Sequence, residues 1–168
     1  MKKIMTLALL VASLFIVGNA EEKLTMTTVD GNKLHMAKTA KGLILDEYKG
    51  KVLFVEIYGH RCPYCIKAID PYNQLQKKYK EKLAIISIEV GGYDEKQLAS
   101  FDDLYGIKYV NISKKEAGEL VPYVSKIGGF RGMIPFLAIF DKKGNFYTSV
   151  SGPISKKELE SIIEKLSK

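Results

Sequence analysis

The sequence predicts an α/β fold with a central mixed β-sheet flanked by helices. Two nearly continuous apolar runs, "VLFVEIYG" (52–59) and "LAIISIEV" (83–90), have the composition of strands buried on both faces. Each is followed by a stretch of helical period. The chain then closes on a hairpin pattern, "FLAIFDKKGNFYTSV", and an amphipathic helix. Its 168 residues suit one domain, and 46% hydrophobic with 27% charged residues is ordinary for a soluble fold.

The first twenty residues stand apart. Lys2 and Lys3 precede the uncharged run Ile4 to Val17, and Gly18 and Ala20 are small where a signal peptidase reads. Fourteen residues rise only about 21 Å as a helix, short of the ~30 Å hydrocarbon core. The expectation is a signal peptide over 1–20 and a mature domain over 21–168. An uncleaved anchor is the weaker reading, and no cysteine near the cleavage site suggests a lipid anchor.

In the mature chain, "LTMTTV" (24–29) alternates like a strand, Asp30-Gly31 marks a turn, and "KLHM" alternates again. That is a β-hairpin extension ahead of the main sheet. "KGLILDEYKGK" reads as a connection with a short apolar patch. After the strand 52–59, a helix is expected from Cys62 to Tyr79. Pro63 stands at its first position, and Pro71 is placed to kink it. The strand 83–90 leads to Asp94 as N-cap of a helix over Glu95–Tyr105, stopped by Gly106. "IKYVNI" reads as a short strand. The stretch 114–129 is helical in part, with Pro122 marking a break or a new start. In the closing hairpin "DKKGN" is the turn. Ser155 and Glu158 form a capping box for a helix over Lys156–Leu166, whose stripe is Leu159, Ile162, Ile163 and Leu166.

Charge narrows the partners. Loss of residues 1–20 removes two lysines and no acid, so net charge falls from +7 to +5. The lysines sit in short clusters such as "KKYKEK" and "DKKG", as on solvated helix faces and turn tips. A nucleic-acid partner is not expected, and a weak preference for acidic partners or membrane surface is all the charge implies.

The two cysteines carry the chemistry. Cys62 and Cys65 stand three apart in "GHRCPYC". Export puts them where disulfides persist. A bridge over two residues removes little loop entropy, so a purely structural staple has little to stabilise. Cys62 follows a buried strand and begins a helix, where free N–H groups and the dipole favour a thiolate. Arg61 beside it adds positive charge. Cys65, one turn on, faces the same side but deeper. Cys62 then attacks a substrate disulfide and Cys65 resolves the mixed disulfide, with no cofactor.

Two distant residues fit. Glu56 is an odd carboxylate in an apolar strand. Buried beneath the cysteines, it would have a raised pKa and exchange the resolving thiol's proton. Otherwise it points to solvent or pairs with a lysine. Pro135, just before "FLAIF", is either an ordinary trans proline or a cis proline beside the dithiol. In the second case the backbone of Ile134 is free to pair with a substrate peptide.

With these segments the chain resembles the thioredoxin superfamily, and within it the exported TlpA-like redoxins. "KGKVLFVEIYGHRCPYC", "LYGIKYVNI", "GGFRGMIPFLAIFDKKGNFYTSVSGPISKKELESII" and the leading hairpin carry the resemblance over nearly all of the mature chain. It implies a thioredoxin-like fold in which Cys62 attacks and Cys65 resolves. It further implies Pro135 as the cis-proline, Glu56 as the buried acid, Tyr58 as an aromatic under the site and Gly152 as a rim glycine. Arg61, Pro63, Tyr64, Met133 and Ile134 form the expected substrate-contacting set. The chain departs from the pattern at Arg61, where thioredoxins usually have tryptophan. Its Pro-Tyr dipeptide is that of glutaredoxins, its kink proline stands one position late, and "GMIP" is one residue longer than "GIP".

The reading is an exported, periplasmic-type thiol–disulfide oxidoreductase acting on exported proteins with disulfides or thiols, with a membrane electron-transfer partner. The TlpA-like segments and Glu56 lean towards a reductant, as in cytochrome c maturation; the Pro-Tyr dipeptide leans towards an oxidant or isomerase. A Cu(I) or zinc chaperone would use both thiolates with His60 or His35. A redox-inert docking domain is the third class, and the intact dithiol speaks against it. The sequon at Asn111 falls on an expected strand.

Overall fold

The computed structural model describes residues 22–168. The expected signal peptide, residues 1–20, lies outside them. The element order is β1 (Glu22–Thr27), β2 (Lys33–Lys38), β3 (Leu43–Leu45), β4 (Val52–Tyr58), α1 (Pro63–Lys78), β5 (Leu83–Glu89), α2 (Glu95–Tyr105), β6 (Val110–Ser113), α3 (Lys114–Ala117), α4 (Leu120–Gly128), β7 (Phe136–Phe140), β8 (Phe146–Ser151) and α5 (Lys156–Leu166).

The central sheet runs β6-β5-β4-β7-β8. β4 is parallel to β5, and β5 to β6, while β7 is antiparallel to both β4 and β8. The sheet is therefore mixed, as expected. Every residue of β4, β5 and β7 is buried, which explains their nearly continuous apolar sequence. Alternate residues of β4 serve opposite faces. Val52 and Phe54 pack on Tyr72 and Leu75 of α1 and on Leu159 and Ile163 of α5. Leu53, Val55 and Ile57 pack on the other side, with Leu120 and Val124 of α4 and with Met26, Leu34, Met36, Leu43 and Leu45 of the N-terminal strands.

Those N-terminal strands form a separate antiparallel sheet, β1-β2-β3. The expected hairpin is there, but β3 extends it within the stretch expected to be a connection. Three residues are too few to show a period. A single 3₁₀ turn, Asp46–Tyr48, follows. The N-terminal segment that carries the small sheet is tied to both edges of the large one. Val29 N–H donates to the Asn111 carbonyl of β6 at 3.0 Å, and Phe146 N–H of β8 donates to the Lys41 carbonyl at 2.8 Å.

Helix boundaries follow local chemistry. Capping boxes start α2 at Asp94 and α5 at Ser155. Pro71 lies inside α1, which continues through it. Pro122 is the third residue of α4, where a missing N–H costs no hydrogen bond. It marks a new start; the break itself is at Gly118.

Gly42 pairs with Asn145 across the junction of the two sheets. A Cβ there would stand 2.0 Å from the Gly144 carbonyl oxygen. Gly42→Ala should therefore destabilise the fold by about 1–3 kcal/mol, read as a lower denaturant midpoint at unchanged m-value. An unchanged midpoint would show that this junction yields freely.

Candidate active site

β4 delivers the chain through Gly59 and His60 to Cys62, which is the N-cap of α1. Cys62 N–H closes the turn onto the Gly59 carbonyl at 3.0 Å. Cys62 and Cys65 are joined as a disulfide with Cα atoms 5.2 Å apart. The Cys65 N–H donates to Cys62 Sγ at 3.2 Å. Cys62 is half-buried, whereas Cys65 is only 2% exposed and packs with Tyr58, Ile69, Leu98 and Phe101. The pair thus has an accessible sulfur at a helix start and a covered one behind it.

The Ile134–Pro135 peptide is cis. Across the site, the Ile134 carbonyl oxygen lies 3.9 Å from Cys62 Sγ. The Pro135 carbonyl accepts from Gly152 N–H at 2.8 Å, which holds the rim glycine against the proline. Arg61, Pro63, Tyr64 and Met133 are exposed around the pair.

No protein-family model matches the chain. Thiol-disulfide oxidoreductase ResA of Bacillus thuringiensis (strain Al Hakam) is 29% identical over 156 residues, which cover 89% of this chain and 78% of that protein. The crystal structure of a thiol:disulfide interchange protein of the thioredoxin family from Chlorobium tepidum TLS matches with a TM-score of 0.69 at 22% identity, over 87% of this chain and 94% of that one. A secreted Mycobacterium tuberculosis disulfide oxidoreductase, described as homologous to E. coli DsbE, matches with a TM-score of 0.63 at 16% identity, over 85% and 96% of the two chains. The fold is thioredoxin-like.

In this thioredoxin-like frame Glu56 lies on the face of β4 that α1 covers, and it is 2% exposed. Its Oε2 accepts from Ser87 Oγ of β5 at 2.6 Å; its Oε1 has no partner among the described residues. Burial pushes its pKa up to about 7, with the Ser87 bond opposing. Glu56 is neither solvent-facing nor lysine-paired, which closes the two alternatives for it.

The sequence reading missed a second buried carboxylate. Glu89 ends β5 and is fully buried. It accepts from the N–H groups of Gly91, Gly92 and Tyr93 at 2.6, 3.0 and 2.9 Å, and from that of His60 at 3.3 Å. His60 Nδ1 lies 2.9 Å from it, and the His60 ring stacks on Tyr93 with centroids 3.6 Å apart. Burial alone would raise the Glu89 pKa; the bonds from the His60 ring and from the N–H groups of Tyr93, Gly91 and His60 outweigh it and hold the group below the usual range. A Cβ at Gly91 would meet Glu89 Oε1 at 2.6 Å and His60 Nδ1 at 2.8 Å, so any side chain there would displace the cluster. This carboxylate ties the turn before Cys62 to the loop after β5. The signal was present, since Glu89 ends an apolar strand as Glu56 interrupts one, but its partners are mostly backbone.

Both histidines are engaged with carboxylates, His60 with Glu89 and His35 with Glu47 at 2.7 Å. Among the described residues no group of three or more His, Cys, Asp or Glu side chains is placed to hold a metal ion. Asn111 is 1% exposed, and its Nδ2 donates to Tyr58 Oη at 2.7 Å and Asp102 Oδ1 at 2.6 Å. The folded chain therefore offers no glycan acceptor there.

The Glu56 pKa, about 7 folded against 4.5 ordinarily, has a consequence for stability. Between these values the folded protein holds the proton and the unfolded chain releases it, so stability falls as pH rises. The full cost, about 3 kcal/mol, is reached above the folded value. Oxidised Glu56→Gln should gain on wild type by roughly that amount from pH 4.5 to 8, read by urea unfolding. Parallel pH–stability curves would mean that Glu56 ionises without cost.

Proposed function

We propose that this thioredoxin-like protein is an exported thiol–disulfide oxidoreductase that reduces protein disulfides through Cys62 and Cys65. One observation carries the reading: half-buried Cys62 caps α1 through a sulfur that accepts the Cys65 N–H, while Cys65 itself is covered. In the reduced state the same N–H and the helix dipole favour a thiolate on Cys62.

The reaction follows from that asymmetry. The Cys62 thiolate attacks one sulfur of the substrate disulfide, and the other sulfur leaves as a thiolate. Cys65 loses its proton, for which Glu56 is the acceptor in this reading. Its sulfur attacks Cys62 Sγ and releases the second substrate sulfur. Two electrons pass to the substrate and the protein is left oxidised, so a membrane electron donor is needed to restore it. The Ile134 carbonyl faces Cys62, where an extended substrate backbone would lie, between Arg61, Pro63 and Tyr64 on one side and Met133 on the other.

Export rests on the leader pattern over residues 1–20, with 21–168 as the mature domain. Among the described residues no helix is long and apolar enough to cross a membrane. The reductant direction rests on Glu56 and on the TlpA-like segments. The Pro63-Tyr64 dipeptide favours the second reading, an oxidant or isomerase.

Cys62→Ser should abolish turnover of a disulfide substrate, while Cys65→Ser should accumulate mixed disulfides at Cys62, seen on non-reducing gels and lost with dithiothreitol. Failure of Cys65→Ser to form any adduct would overturn the division of labour. The potential of the couple decides the direction: a value near about −270 mV supports the reductant, and one near about −120 mV makes the protein an oxidant.

A further inference from the structure

We propose that the dithiol face selects disulfides flanked by acidic residues, and seats an apolar neighbour of the substrate cysteine in a pocket beside Pro135. The proposal rests on the oxidoreductase reading and names its substrate class.

The charge on this face is one-sided. Three segments border the pair: 59–67, which contains it; 130–135, whose Ile134 carbonyl faces Cys62; and 152–154, held to Pro135 through Gly152. They carry Arg61, Lys67 and Arg131 and no aspartate or glutamate. All three cations are exposed. None has a carboxylate within ion-pair distance among the described residues. Lys67 meets only the Tyr64 ring, 5.8 Å from its centroid.

The acids of neighbouring segments are spent internally. Glu89 is enclosed by its N–H groups and His60, and Glu56 is buried with Ser87. Asp94 accepts from Gln97 N–H at the start of α2, and Glu95 accepts from Ser113 Oγ. Asp70 accepts from Gln74 Nε2 on the exposed side of α1. The three bordering segments themselves therefore carry only positive charge, on cations without a carboxylate partner among the described residues. Such charge concentrates anionic partners and repels cationic ones before contact.

The pocket adds the second element. A cavity of about 180 Å³ opens beside the pair, lined by Tyr64, Lys67, Pro71, Pro135, Leu137 and Ile154. Its walls are mostly apolar, and Lys67 is among the residues that line it. An extended peptide with its cysteine at Cys62 can place an apolar side chain there while a neighbouring carboxylate meets Lys67 or Arg61. The reducing electrons come from the dithiol itself, and no other reactant is needed.

The test uses synthetic peptide disulfides of one sequence, with the residues flanking cysteine changed together to Glu, Gln or Lys. Oxidation of the reduced full-length protein gives a second-order rate for each peptide. Each rate is divided by that of dithiothreitol with the same peptide, because local charge alters the intrinsic reactivity of a disulfide. At about 20 mM ionic strength the Glu peptide should exceed the Lys peptide by about tenfold, with Gln between, and the ratio should shrink towards one at about 0.5 M salt. The combined variant Arg61→Gln, Lys67→Gln, Arg131→Gln should lose most of the ratio. Replacing the apolar neighbour of the cysteine by Ser should slow the wild-type protein severalfold. Equal normalised rates, a preference for Lys, or a preference indifferent to salt would overturn the charge selection. No effect of the Ser replacement would overturn the pocket. If the variant does not fold, the salt series on wild type still decides. Hydroxyethyl disulfide, which is uncharged, keeps the two readings apart. Its reduction shows a working dithiol whatever the peptides do, and failure with every disulfide overturns the oxidoreductase reading instead.

Discussion

The bond from the Cys65 N–H to Cys62 Sγ organises the site. It exists because β4 is buried on both faces and ends at Tyr58, so the chain must turn and begin a helix at a fixed place. A helix start leaves N–H groups without acceptors. Here a sulfur takes one of them, and the acceptor that caps α1 is also one sulfur of the Cys62–Cys65 disulfide. The rest of the site attaches to this arrangement. Pro135 and Ile134 close one side, the Glu89 cluster holds the turn from the other, and α1 roofs Glu56.

The two buried carboxylates behave oppositely for a reason visible in their partners. Glu89 is surrounded by donors, four N–H groups and an imidazole, and stays ionised although covered. Glu56 has one hydroxyl donor and one bare oxygen, so burial dominates and its proton is held close to neutral pH. An acid satisfied like Glu89 is a structural tie. One left short like Glu56 changes its protonation close to neutral pH.

Most of the fold was legible because its strongest signals are long. The runs 52–59 and 83–90 and the closing hairpin are strands of the central sheet, and the Ser155–Glu158 box does start α5. What escaped was short or carried by backbone. β3 has three residues, and its strand character comes from pairing with β2 rather than from any repeat of its own. Glu56 could be singled out because a carboxylate in mid-strand is conspicuous. Glu89 could not, because a polar residue where a strand meets a loop is unremarkable until the loop folds back on it. His60 was read as a metal candidate against a surface or packing residue; only the tertiary structure pairs it with that carboxylate. The cis peptide at Pro135 was left open by the residues and suggested only by family resemblance.

The N-terminal sheet has a role beyond adding core. A five-stranded open sheet ends in two rims of unpaired backbone groups, here β6 and β8, and such rims invite other chains to add a strand. Val29 spends an N–H on β6, and Lys41 spends a carbonyl on β8. The same N-terminal segment thus blocks part of both rims. Less of either rim is then left open as a template on which another chain could add a strand. The cysteines, at the start of α1, stand apart from both covered rims.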